Sequence, residues 1–163
     1  MNKAWDLLLE AADASFDGDY YNGLSLMRTL ESLSPDMAAY TRTHEGYSAW
    51  EVAHHVAYFK HHVTKAIDPS VEPYPLRKGP SGFASPTEIS ETAWREVLSY
   101  LRIIHGIAMS TLRAAPDGIF DEPMPKWGTT IGRVVIWLLS HDTYHGAQLR
   151  NMGVPGLKEP KEA

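Results

Sequence analysis

Apolar residues recur three and four positions apart over most of the chain, and no stretch alternates apolar with polar as a half-buried strand would. The first such pattern runs from Trp5 to Ala14 and stops at the turn-rich DGDYYNG. A second runs from Leu24 to Leu33 and ends before Ser34-Pro35, so the two read as one arm of the fold, broken in the middle. Ser48, followed three residues later by Glu51, has the spacing of a capping box and predicts a second helix reaching Ile67, closed by Asp68-Pro69. Residues 68–85, DPSVEPYPLRKGPSGFAS, hold four prolines and two glycines and read as a linker. Ser85-Pro86-Thr87-Glu88 predicts the start of a third helix, which carries Ile89, Trp94, Val97, Leu98, Leu101, Ile104, Ile107, Ala108 and Leu112 before Pro116. The loop PDGIFDEPMPKWG leads to a last helix from Thr129 to Met152, stopped by Gly153 and Pro155.

Four helical arms predict an all-α chain, a four-helix bundle in one domain over residues 1–163. Short loops join antiparallel neighbours, whereas the long 68–85 linker can cross the bundle and return the chain in the same direction. That gives up-down-down-up, with the second and fourth helices antiparallel.

Composition narrows the function. The net charge of −5 offers no basic stripe for nucleic acid. There is no cysteine, which excludes disulfides, thiolate metal sites and a cysteine nucleophile together, and suits a reducing cytoplasm. The N-terminal MNKAWDLLLEAADA meets acidic residues too early for a signal peptide, and the longest apolar run, Val134–Leu139, is far short of the ~20 residues of a membrane span. A cytoplasmic, non-membrane protein is expected. The run VVIWLL is apolar around the whole helix, which points to a central helix or to burial by a second subunit, hence a homodimer.

Histidine is the outlier, with eight residues and three close pairs. In the last helix the apolar stripe is Ile131, Val134, Val135, Leu138, His145, Leu149 and Met152, with His141 on its edge one turn before His145. Two imidazoles spaced i, i+4 on one face can bind one metal ion, although a core histidine bonded to a carbonyl is the commoner outcome. In the second helix the stripe is Val52, Val56, Phe59, Val63 and Ile67; His55 and His62 phase toward it, His54 and His61 away. Height separates the two candidates. His55 lies seven residues after Ser48 and His145 seven before Met152, so in antiparallel helices they are level. His55, His141 and His145 are therefore the candidate ligands of one divalent ion. Three imidazoles leave a coordination position open, the pattern of catalytic sites. Imidazole donors do not choose sharply between zinc, nickel, copper and iron; zinc or nickel is expected first, iron or manganese after them. Asp142 could orient a ligand histidine or bond a neighbouring helix. Gln148 could bond a substrate or the backbone, and Trp127 could line a pocket. His44, His54, His61 and His105 read as surface or loop residues. No catalytic residue stands out.

Three stretches resemble the DinB-like (DinB/YfiT-type) superfamily of metal-binding four-helix bundles. YNGLSLMRTLESLSPDMAAY resembles the end of that family's first arm, SAWEVAHHVAYF its second-helix motif with Ser48 seven residues before His55, and HDTYHGAQLR its HxxxH signature with Gly146 and Gln148. Gly146 follows His145 directly, one position earlier than in the usual signature. The resemblance implies an up-down-down-up bundle, a three-histidine divalent metal site and frequent homodimers. It further implies thiol-dependent S-transferase or isomerase chemistry on a small molecule, with cosubstrates such as mycothiol or bacillithiol in some relatives. A metal-dependent hydrolase is the nearest variant, and a non-catalytic metal-binding stress-response protein the alternative.

Overall fold

The computed structural model describes residues 3–20, 23–77 and 79–157. It is mostly helical. Four long helices, α1 (Lys3–Asp17), α4 (Ala49–Ile67), α5 (Glu91–Ala114) and α6 (Ile131–Asn151), are accompanied by two short ones, α2 (Leu26–Glu31) and α3 (Pro35–Ala38). α4 packs against α5 and α6, and α6 packs against α1.

Local chemistry sets the helix ends. Ser48 and Glu51 close a full capping box, the Ser48 N–H donating to Oε2 of Glu51 at 2.8 Å and the Glu51 N–H to Oγ of Ser48 at 3.2 Å. Thr130 caps α6 through the Arg133 N–H, and Ser25 and Ser34 cap α2 and α3. Each cap satisfies a backbone donor of the first turn that has no partner within the helix, worth about 1 kcal/mol.

Three expectations are corrected. The third long helix begins at Glu91, capped by Ser90, and not at Ser85-Pro86. The hydroxyl of Ser85 is committed elsewhere: it donates to Oε1 of Glu51 at 2.7 Å, pinning the linker to the start of α4 and leaving Ile89 outside the core. Two small antiparallel ribbons also appear where no strand was expected: β1 (Asp19–Tyr20) with β2 (Gly23–Leu24), and β3 (Pro123–Met124) with β4 (Thr129–Thr130). Pairs of two residues are too short to leave an alternating signature. Finally, His54, His61 and His105 are buried, while His44 is exposed as expected. The linker and α5 cover the second face of α4: the Tyr74 hydroxyl donates to the His54 carbonyl at 3.4 Å, and Nδ1 of His61 lies 2.9 Å from the Tyr100 hydroxyl.

The apolar interior falls into two clusters. One gathers Trp50, Val52 and Val56 of α4 with Trp94, Val97 and Leu101 of α5 and Leu149 of α6. The other gathers Leu9 and Ala12 of α1 with Val63, Met109 and Leu112, and with Val134, Val135 and Leu138 of α6. Each fully buried large apolar side chain contributes roughly 1.5–3 kcal/mol. Along α4, α5 and α6, the polar residues Lys60, His105 and Asp142 lie between the stretches that feed the two clusters. No helix among the described residues is long and apolar enough to cross a membrane.

Candidate metal centre

α4 delivers His55, and α6 delivers His141 and His145 one turn apart. The contacts run in opposite senses along the two helices: His55 meets His145, whereas Phe59, a turn later on α4, meets His141. Nε2 of His141 lies 3.2 Å from Nε2 of His55 and 3.1 Å from Nε2 of His145. Among the described residues these are the one group of three or more His, Cys, Asp or Glu side chains gathered closely enough to share a metal ion.

The proton positions follow from the outer partners. Nδ1–H of His55 donates to the Ser81 carbonyl at 2.7 Å. Nδ1–H of His145 donates to Oε1 of Gln148 at 2.5 Å, and the Gln148 amide donates in turn to the Glu45 carboxylate. Both rings therefore aim a bare Nε2 lone pair at His141, whose own Nδ1 is buried without a partner. A single proton on His141 could satisfy only one of the two. A shared cation satisfies all three, and donors about 2.0–2.1 Å from a four-coordinate ion stand roughly 3.3 Å apart, near the two separations from His141, with all three donors within 4.8 Å of one another. The residues fit a divalent metal.

Burial keeps the donors neutral. It lowers His141 to about 2, helped by His145 and His55 beside it, and His145 to about 4. His55 is lowered by burial as well, against the pull of its bond to Ser81. Aromatic rings wall the cluster. Phe83 stacks on His55 at 4.2 Å between centroids and Phe59 on His141 at 4.3 Å.

Structure thus brings together all three histidines singled out from the sequence. Gln148 bonds His145 of the cluster directly. Trp127 sits one layer back, its ring 5.4 Å from that of Phe59 and 5.3 Å from that of His62. Asp142 touches none of the three; its Oδ2 accepts from Nζ of Lys60 at 2.6 Å. Periodicity gave no sign of Ser81, Phe83 or Glu45. The prolines and glycines of 68–85 marked a linker, but which carbonyl faces a histidine depends on how that linker lies on α4.

A helical protein whose helices gather three imidazoles defines a class, proteins with a three-histidine cluster close enough to share a metal ion. The chain belongs to the DinB superfamily, whose family model matches residues 25–149, a stretch that includes His55, His141 and His145. No curated protein and no solved structure matches the chain.

Proposed function

We propose that the protein is a divalent-metal-dependent enzyme acting on a small molecule, a thiol-dependent S-transferase or isomerase. The observation that carries this reading is the convergence of three Nε2 lone pairs, each on a ring whose protonation is set by burial or by an outer partner. His55, His141 and His145 would hold the ion, zinc or nickel before iron or manganese. When bound, such an ion supplies a Lewis acid that polarises an electrophile or stabilises a thiolate. Ser81 and Gln148 orient the donors. Phe59 and Phe83 shield the flanks from water and give an apolar substrate a surface to lie on. With no cysteine in the chain, the thiol belongs to a cosubstrate.

The same reading takes the four long helices as an up-down-down-up bundle with 68–85 as its crossover. The opposed order of contacts between α4 and α6 supports it. It also takes the protein as a cytoplasmic homodimer, supported by Ile136, Trp137 and Tyr144, which leave α6 with an exposed apolar face.

The test begins with elemental analysis of protein purified without an affinity tag. One ion per chain in the parent, and almost none in His145→Ala, is the expected result; near-zero metal in both overturns the metal reading. Cobalt-loaded protein is then mixed with low-molecular-weight thiols and alkylating electrophiles. Thiolate-to-cobalt absorption and thiol transfer are expected. Metal binding with neither would leave the non-catalytic alternative, and ester hydrolysis without thiol would favour the hydrolase.

A further inference from the structure

Lys60 and Asp142 form an ion pair in the interior, Nζ to Oδ2 at 2.6 Å, with each side chain only 1% exposed. No hydrogen bond joins either to the three histidines, although the Lys60 charge acts on His141; Asp142 adjoins His141 in sequence and Lys60 follows His55 by five residues, about 7.5 Å along the helix. The pair is held from the other side as well. Nδ1 of His105 on α5 accepts from Nζ of Lys60 at 3.1 Å, which leaves the His105 proton on Nε2, where it is donated to Oδ1 of Asp13 on α1 at 2.9 Å. Arg113 donates to the other oxygen of Asp13 at 2.6 Å. One polar network therefore takes a residue from each long helix and lies between the two apolar clusters.

Stability does not account for it. Two ions withdrawn from water lose solvation that their attraction roughly restores, and well-packed apolar residues of similar volume commonly serve as well or better. Oδ1 of Asp142 is buried without a partner, a further cost. A directional contact does supply what apolar packing lacks. His141 and His145 are fixed relative to each other by their own helix, but the arrival of His55 depends on how far α4 slides and rotates against α6. Apolar side chains set the separation of two helices and tolerate small slips along their length; a charge-assisted hydrogen bond of 2.6 Å does not.

We propose that Lys60 and Asp142, braced by His105 and Asp13, are positioning residues that set the register of α4 against α6 and so bring His55 to His141 and His145. The inference rests on the metal reading above for its functional meaning.

The test replaces both partners in the whole chain, Lys60→Met together with Asp142→Leu, so that no charge is left alone. Two quantities are read on the same preparations: the denaturation midpoint without metal, and zinc or nickel affinity by chelator competition. A midpoint at or above the parent's, with affinity weakened by about tenfold or more, is the expected pair of results. Affinity within twofold of the parent overturns the proposal, as do midpoint and affinity falling together, which would mark the pair as structural alone. Should the double variant not fold, Asp142→Asn takes its place: affinity at least about threefold weaker supports the assignment and unchanged affinity ends it. A parent that binds no metal defeats the proposed function instead. The register claim is then read from a crystal structure of the double variant, where an Nε2–Nε2 separation between His55 and His141 still at 3.2 Å overturns it and a wider one supports it.

Discussion

Ser81, the one described non-glycine residue with a positive φ (φ 50), turns its carbonyl to within 2.7 Å of Nδ1 of His55. A serine in the left-handed region costs backbone strain, of order 1–3 kcal/mol, that its surroundings must over-determine. Here they do. The next residue, Gly82, has φ 84, and a Cβ there would stand 2.7 Å from Cβ of Tyr58, so the turn lies flat against α4 only because position 82 has no side chain.

Gly82→Ala should therefore lift the turn from α4 and withdraw the Ser81 carbonyl. The chain is expected to lose roughly 1–3 kcal/mol of stability and about tenfold in metal affinity. Chelator competition and urea denaturation on the same preparation measure both; full affinity in a destabilised protein would show that the carbonyl does not orient His55.

Gln148 makes a parallel prediction at the other helix. With Gln148→Leu, the Nδ1–H of His145 loses its acceptor and Glu45 loses its donor. Metal affinity should fall by about tenfold to a hundredfold, the usual range for an outer partner of a ligand histidine. A titration curve that overlays the parent's would remove Gln148 from the site.

Acid should weaken the metal-free protein. Burial holds His54 at about 4, with Arg77 adding to the effect, His145 at about 4 and His141 at about 2, all below the ordinary value of 6.5. As pH falls through 6.5 the unfolded chain takes up protons that the native state refuses, so stability present above that pH is lost on the way down to about 4. Each such group weakens the fold by roughly 1.4 kcal/mol per unit once the pH is well below 6.5. Denaturation midpoints should match at pH 7.5 and 8.5 and drop clearly at pH 5. A midpoint independent of pH over that span would contradict the buried neutral imidazoles.

Ile136, Trp137 and Tyr144, exposed by 57%, 48% and 63%, form an apolar patch on α6, with the exposed Arg133 one turn before it and a mainly apolar groove lined by Leu8 and Ala11 of α1 beside it. A two-fold interface sets the same patch of both copies against itself, so pairing it would take these large apolar side chains out of water on each copy. Sedimentation should show a dimer for the parent and a monomer for Trp137→Glu. A parent that sediments as a monomer at high concentration would leave this face without a partner copy.

Much of the helical framework was legible without coordinates because its signals are short-range. Ser48 with Glu51 and the i, i+4 pair His141 and His145 each act within a turn or so of helix, and the apolar phase of α4 and α6 named the faces that carry the cluster. The third helix shows the limit: Ser85 and Ser90 are both good caps, and the choice fell to Ser90 because Glu51, distant in sequence, holds Ser85. The same holds for burial. His54 and His61 lie off the apolar stripe, and it is the linker together with α5 that covers them. Sequence by itself determined which residues could be donors and which helices would present them, since periodicity and capping are decided by near neighbours. Tertiary structure alone decided that Ser81 fixes the tautomer of His55, that Asp142 answers to Lys60, and that Asp13 and His105, 92 positions apart, close the polar layer. Hydrogen bonds between remote residues depend on where whole helices come to rest, and no local pattern records that.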